Sequence, residues 1–233
     1  MKPQIPWLRV FVEDVVIVGS ILLAFGIQAW WEARASQLTF ELQLGSTSAE
    51  IEDGQAELVQ WASRRRSSVR RTNELATLLA SVSSETHLSV PDTLVASLMS
   101  SNVIELPTAQ VDALLAGEFP ALSGNPVRTE LMSLRALIDD YRDDEIVARD
   151  YIAQELSPYL RANFDVAEAE RAWFEWIVMD GAPSGHTDLI STRHLQNLIA
   201  WKQRDLLVLD SQAATVLEAM ERVAEQVRAV LDP

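Results

Sequence analysis

The sequence of 233 residues contains no cysteine, which excludes disulfides, thiolate catalysis and cysteine-ligated metal or iron–sulfur sites. It has only 8 glycines and 9 prolines, so its composition leaves little room for long disordered segments. Basic residues are few, because 19 Lys and Arg are outnumbered by 34 Asp and Glu, giving a net charge of −15. This excess of acid argues against nucleic acid as a partner and against a chain that lies flat on anionic lipid.

Charge is missing altogether from one stretch near the N-terminus, residues 15–31. Trp7 precedes this stretch, and Trp30 and Trp31 close it. On a helix the distance between these indoles is about 35 Å, close to one bilayer thickness. Tryptophan is also enriched at membrane interfaces. The pattern therefore predicts one membrane-spanning helix over residues 10–31, with the three indoles as its interface anchors.

The charges that flank the predicted span favour an N-terminus in the cytoplasm. Lys2 and Arg9 precede the span, whereas Arg34 follows it beside an acidic residue. Residues 1–9 are then a short cytoplasmic segment. Residues 32–233 are long enough to bury one core and form a single soluble domain, which we expect in the periplasm of a bacterial inner membrane.

A cleavable signal peptide is the alternative interpretation of the same stretch. The sequence Ala33-Arg-Ala35 superficially resembles a cleavage site after an apolar core. Acids before the core and bulky indoles after it argue against cleavage, so an anchor is favoured.

Acidic and small side chains mark the predicted span. Glu13 and Asp14 either lie hydrated at the headgroups near the helix N-terminus, which is favoured, or pair with a basic group of another membrane subunit. Small residues would let another helix approach closely. These candidate contacts with a partner span are Gly19, Ser20, Ala24 and Gly26.

The rest of the chain has helical composition, with inward positions at alternating steps of four and three, as in helical bundles. The span is expected to continue directly into a helix that ends near Ala80. Its seam is Ile51, Gln55, Leu58, Ala62, Arg65, Val69, Thr72, Ala76 and Leu79. A C-terminal helix has the same rhythm, broken only by Lys202. Its seam is Leu195, Ile199, Lys202, Leu206, Leu209, Ala213, Val216, Met220, Val223, Val227 and Val230.

Between these outer helices the sequence predicts two short helices, near residues 92–101 and 108–116. A long helix is expected from about residue 127 to 179, with an interruption at Pro158. A break is expected at residues 84–91, and no stretch shows convincing period-two alternation. The predicted fold class is therefore all-α, an N-terminal transmembrane helix that runs into an elongated antiparallel helical bundle.

Three passages of the sequence have the character of family motifs. They are Glu13-Asp14 with Ile27-Gln-Ala-Trp-Trp-Glu-Ala-Arg34, Val111-Asp-Ala-Leu-Leu-Ala-Gly117 followed by Tyr141, and His194-Leu-Gln-Asn-Leu-Ile199. In that order they resemble the N-terminal signature, the central passage and the opening of the last helix of a widespread bacterial domain-of-unknown-function family of single-span membrane proteins. The resemblance implies a membrane anchor with a helical domain and supplies no catalytic residues.

One cluster of arginines stands out in this acidic chain, at residues 64–71. On a continuous helix it begins about 50 Å beyond Trp31, out of reach of the membrane. These arginines either pair with the acidic run at residues 139–145, which is favoured, or dock to an acidic surface of a partner protein. They are Arg64, Arg65, Arg66, Arg70 and Arg71.

No catalytic, cofactor-binding or metal-binding residues are predicted. His186 and His194 lack the spacing of metal ligands, and Ser184 lacks a Gly-x-Ser-x-Gly context. The acids at 139–145 spread around a helix as on a solvated face, with divalent-cation binding as the alternative. A group of apolar residues, mostly aromatic, either packs in the core, which is favoured, or anchors a partner. It comprises Trp173, Phe174, Trp176 and Ile177.

These features favour a non-enzymatic accessory or scaffold subunit of an inner-membrane or periplasmic complex. The expected partner is another membrane or periplasmic protein, or a second copy of the chain, and no cofactor is expected. The alternative is a ligand-sensing bundle with a site near residues 117–124 or 181–185. Such a sensor would signal through another protein, because only about nine residues precede the span. An enzyme is the third and least favoured class.

Overall fold

The computed structural model describes residues 7–100, 103–171 and 185–231 of the chain. Two short strands, β1 (His87–Pro91) and β2 (His186–Ile190), pair with each other. The main helices are α1 (Trp7–Ala80), α2 (Asp92–Met99), α3 (Ala109–Ala116), α4 (Pro126–Tyr151), α5 (Ser157–Asn163) and α6 (Arg193–Leu231). The chain thus has the predicted all-α architecture with a small sheet added.

Helix α1 is a single helix of 74 residues, which confirms that the apolar segment runs directly into the bundle. No proline lies within it, so no residue lacks the N–H that the helical ladder needs. The first of its described side chains to be buried is Phe40. The bundle therefore begins nine residues, or about 14 Å of helix, after Trp31.

Helices α1 and α6 pack antiparallel along their seams. The Gln196 side chain donates to the Leu79 carbonyl at 3.1 Å, and the Gln203 side chain donates to Asn73 at 2.7 Å, so α6 descends as α1 ascends. Every position in the two predicted seams is buried or half-buried. Both seam predictions are confirmed, including their polar members.

Helix α4 completes the three-helix frame and also runs antiparallel to α6. The Tyr151 hydroxyl donates to the Leu198 carbonyl at 2.9 Å near one end. Near the other end Glu130 and Arg222 approach to 3.7 Å. Helix α4 is therefore parallel to α1, with α6 packed against both.

Two hydrophobic clusters lie one after the other along this frame. We call the cluster nearer the exposed end of α1 the proximal core and the other the distal core. The centre of the proximal core is Phe40, Leu44, Ile51, Leu58, Leu131, Leu134, Met220 and Val223. The centre of the distal core is Leu75, Leu79, Leu94, Leu98, Ile152, Leu156, Leu189, Leu195 and Ile199.

The predicted interruption at Pro158 takes the form of a π-helical turn. The turn occupies Ile152–Leu156, between α4 and α5. Pro158 has no N–H to donate to the preceding turn, and a wider turn accommodates that loss. The α-helix resumes at Ser157 and ends at Asn163, and residues 167–171 are helical again. The part of the predicted helix beyond residue 171 lies outside the described residues.

The sequence predicted no strands, and this is wrong for ten residues, which form two short strands. Strands β1 and β2 pair antiparallel, with Leu88 opposite Leu189 and Val90 opposite Thr187. Each strand has only five residues, too short for alternation to stand out. The pair closes the distal end of the bundle, where Val90 and Leu189 join the distal core.

Candidate functional site: an exposed apolar helix and a buried polar layer

The apolar segment of α1 is exposed along its whole length. Its large side chains, from Val15 to Trp31, are 49% to 67% exposed, with Ile21 lowest and Leu23 highest. In the most apolar stretch of 18 residues, no residue is buried in the protein. By length and composition this helix can cross a membrane. Apolar side chains exposed on every side of a helix require a non-aqueous or protein environment.

The predicted interface anchors lie where this segment ends. Trp30 and Trp31 are each 63% exposed, and their rings meet edge to face with centroids 5.6 Å apart. Trp7 is the first residue of α1, but its side chain lies outside the described residues. The position of these indoles at a membrane interface stays a prediction.

The face of small residues in the span is open. A Cβ added at Gly19 or Gly26 would meet no atom within 4 Å. The Ser20 hydroxyl donates to the Val16 carbonyl at 2.7 Å, so its polar group is satisfied within the helix. Glu13 is exposed, and the Asp14 side chain lies outside the described residues. Contact between this face and a partner span stays a prediction.

The arginine cluster divides into one buried and several outer members. Arg65 is buried and pairs with Glu145 of α4, as the interpretation of pairing within residues 139–145 predicts. Arg64, Arg66 and Arg70 are exposed, and Arg71 is half-buried. Burial, together with the neighbouring Arg70 charge, lowers the pKa of Arg71. Docking of the exposed arginines to an acidic partner stays a prediction.

Glu145 is the centre of a buried polar cluster. Its Oε1 accepts hydrogen bonds from a terminal nitrogen of Arg65 and from the Trp61 indole N–H at 3.1 Å. Its Oε2 accepts the backbone N–H of Ile104 at 2.9 Å. The Arg65 guanidinium also lies 5.5 Å from the ring centroids of both Trp61 and Tyr141. The Glu145 carboxylate therefore accepts three hydrogen bonds, one of them from the guanidinium of Arg65.

Lys202 is also a buried cation, and among the described residues it has no carboxylate partner. It is 1% exposed, and its Nζ donates to the carbonyls of Ser97 and Leu98, both at 2.7 Å, and of Ser100 at 3.1 Å. These carbonyls lie at the C-terminal end of α2, where the helix dipole favours a cation. Burial lowers the pKa of Lys202 to about 7, and the three carbonyl oxygens oppose that shift by stabilising the ammonium.

Arg65, Glu145 and Lys202 all lie between the proximal and distal cores, Arg65 and Glu145 in direct contact and Lys202 nearer the distal core. We call these three residues the polar layer. Lys202 binds the carbonyls of Ser97, Leu98 and Ser100, and Glu145 binds the backbone N–H of Ile104. The polar layer thus fixes how the end of α2 crosses the bundle.

The other sequence candidates are dispersed or outside the described residues. His194 packs against the Tyr159 ring at 4.7 Å, and His186 lies exposed in β2. Within the described ranges no three His, Cys, Asp or Glu side chains are grouped as metal ligands. In the loop at residues 117–124, Gly117 lies under the Phe119 ring, which packs against Phe40. Trp173, Phe174, Trp176, Ile177, Ser184 and most of residues 181–185 are not among those described.

The sequence places Arg65 and Lys202 on the seams and favours pairing of Arg65 with the acidic run at residues 139–145, but it neither singles out Glu145 within that run nor indicates the partners of Lys202. Glu145 was grouped with a solvated acidic face, although it is 2% exposed. A charged residue at a seam position is the signal that could have prompted a search for a buried opposite charge. The carbonyl partners of Lys202 give no side-chain signal in the sequence.

Comparison with protein-family models, curated proteins and solved structures finds no match for this chain. The resemblance to a domain-of-unknown-function family therefore stays a prediction. The fold and the two features above, an exposed apolar helix and a buried polar layer, carry the functional argument alone.

Proposed function

We propose that the chain is a non-enzymatic accessory or scaffold subunit, held in a bacterial inner membrane by the first part of α1. In this proposal residues 1–9 are cytoplasmic, residues 10–31 span the membrane and residues 32–233 form a periplasmic helical bundle. The observation that carries the proposal is the full exposure of the apolar segment, continuous with a well-packed bundle on the same helix.

The continuous helix also supports a role in presenting the bundle at a fixed height. Because α1 has no break between Trp31 and Phe40, the bundle would stand about 14 Å from the interface. The exposed arginines would lie roughly 50 Å from it, within reach of a partner's acidic surface rather than of lipid. The proposed partners are another membrane or periplasmic protein, or a second copy of this chain.

Site-specific crosslinking in the membrane tests the proposed partnership. A photoreactive residue at Ser20 reports on the face of small residues, and one at Phe25 reports on the opposite side of the helix. We expect a reproducible protein adduct, identified by mass spectrometry, from position 20 and not from position 25. Recovery of only uncrosslinked monomer from both positions, with the chain intact in the membrane, would contradict a scaffold role.

Orientation can be tested separately, because the chain has no cysteine of its own. Single cysteines at Gln4 and at the exposed Ser46 are treated in intact cells with a maleimide that cannot cross the inner membrane. We expect labelling at position 46 only. Labelling at position 4 alone would reverse the proposed orientation without affecting the anchor.

A further inference from the structure

A cavity of about 170 Å³ lies against the polar layer, between residues 104–108 and the middle of α4. Ile104, Leu106 and Ile138 give it apolar walls, and Tyr141 lines it as well. Ile104 is also the residue whose N–H binds Glu145. The cavity and the buried polar cluster therefore share a wall.

Two buried donors next to this wall have no hydrogen-bond partner among the described residues. They are the Tyr141 hydroxyl and Nη1 of Arg65. Tyr141 is 1% exposed, and the Arg65 side chain is 5% exposed, so neither group is solvated from outside. Burial raises the pKa of Tyr141 far above its usual range, which keeps the hydroxyl protonated as a donor. Neither atom is accessible from the cavity, so both belong to the polar wall behind it and leave a ligand's charged groups to the residues at its rim.

Two charges that line the same cavity are also unpaired. Arg142 and Glu105 make no ion pair or side-chain hydrogen bond with the described part of the chain. The remaining charges in the lining, Arg135 and Asp139, pair with each other, and Arg135 also binds Asp112 at 2.8 Å. The cavity thus offers one free cation and one free anion beside apolar walls.

These charges narrow the class of ligand. A dianion would meet Glu105 and Asp139, and a simple cation would meet Arg135 and Arg142. A molecule with one carboxylate and one ammonium group matches both free charges. The apolar walls and the volume suit a short aliphatic side chain.

We propose that this cavity binds a small aliphatic zwitterion, of the class of the free aliphatic α-amino acids. The carboxylate would accept from Arg142, and the ammonium group would bind Glu105. The aliphatic side chain would pack against Ile104, Leu106 and Ile138. This binding site goes beyond the proposed anchoring role and does not depend on it.

Thermal unfolding of the full chain in mild detergent, with L-leucine as the probe, tests the proposal. At about ten times the dissociation constant, leucine should raise the melting temperature by about 4 °C. The matched probes are 4-methylpentanoate, which lacks the ammonium group, and 3-methylbutylamine, which lacks the carboxylate. Each should give a much smaller rise at the same concentration.

Variants locate the effect in the cavity. Glu105→Gln and Arg142→Gln should each reduce the rise with leucine, and Arg149→Gln, on an exposed part of α4, should preserve it. Arg142 and Arg149 are both exposed, so neither of these changes threatens the fold. The absence of any rise with millimolar leucine would overturn the proposal. An equal rise with 4-methylpentanoate, or a rise that survives Arg142→Gln, would overturn it as well.

Discussion

Residues 15–31 and residues 51–79 belong to one continuous helix, yet the more apolar segment, residues 15–31, is the less buried of the two. The first segment is uncharged and almost wholly apolar, and all of its side chains are exposed. The second contains five arginines and several hydroxyl residues, and its seam is buried, including Arg65 and Thr72. Within α1, burial in the protein is therefore decided by available partners rather than by hydrophobicity.

The difference indicates two environments along one helix. The bundle half buries the Arg65 charge because α4 supplies its carboxylate partner, Glu145. The apolar half has no such neighbours among the described residues, and its exposed surface is far larger than soluble monomers tolerate. A bilayer is the environment that stabilises such a surface without a protein partner.

The largest effects are expected when lysine is placed in one or the other half of α1. The variant Ile17→Lys/Leu22→Lys should abolish membrane integration, since each lysine costs about 3 kcal/mol in a span. Its bundle should keep the wild-type melting temperature, because neither side chain is buried in the protein. Cell fractionation and circular dichroism of the solubilised chain measure the two effects.

The matched variant is Leu58→Lys, at a fully buried position in the proximal core. It should remain in the membrane and lose about 4 kcal/mol or more of bundle stability. If instead the doubly charged variant melted early and Leu58→Lys melted normally, the assignment of the two halves would be reversed.

The second test breaks the ion pair that allows Arg65 to be buried. Arg65→Met or Glu145→Leu should each reduce the free energy of unfolding by about 3–5 kcal/mol, because each leaves a buried charged group without its partner. The double variant Arg65→Met/Glu145→Leu should recover much of that loss. Urea unfolding of the four proteins measures the coupling between the two sites.

An exposed ion pair on α4, the helix of Glu145, serves as the control for this double-mutant cycle. Arg149 and Asp150 form an ion pair at 3.1 Å in which each side chain is 47% exposed. Arg149→Gln should change stability by no more than about 0.5 kcal/mol. Additive losses at Arg65 and Glu145, with no coupling, would show that their contact contributes nothing.

The third test concerns Lys202. The change Lys202→Met removes three hydrogen bonds at the end of α2 and should destabilise the bundle by about 2 kcal/mol. The same change at the exposed Arg193 should be close to neutral. A stability equal to or above that of the wild type would show that the desolvation of Lys202 outweighs its hydrogen bonds.

The fourth test is the dependence of stability on pH, where the effect expected over a single pH unit is smaller than the main effect in each of the three tests above. The pKa of Lys202 falls from 10.5 in the unfolded chain to about 7 in the folded protein, so above pH 7 the unfolded state holds the extra proton. Stability should therefore rise as the pH increases from 7 toward 10, by at most about 1.4 kcal/mol per pH unit. Lys202→Met should lack this rise. If the free energies of unfolding of the wild type and of Lys202→Met changed with pH in the same way, the assignment of this rise to Lys202 would be wrong.

Most of the fold follows from hydrophobic periodicity in the sequence. The two seams, the two short helices and the interruption near Pro158 all occur where spacing and proline predict them. The strands could not be recognised, because five-residue alternation is indistinguishable from a loop without knowledge of the partner strand.

The polar layer was predictable only in part. Arg65 and Lys202 occupy seam positions, so their burial follows from helical periodicity. Glu145 is one of several neighbouring acids, and only the rotation of α4 against α1 selects it over Asp143 or Asp144. The cavity beside Tyr141 depends on the path of the chain after α2, which no local pattern specifies.

Alkaline carbonate extraction of bacterial membranes that contain the full chain tests the central claim most directly, combined with the intact mass of the recovered protein. The account predicts that the chain stays in the membrane pellet at high pH and retains its N-terminal residues. Release into the supernatant, or a mass that corresponds to cleavage near Ala35, would contradict a membrane anchor formed by the first part of α1.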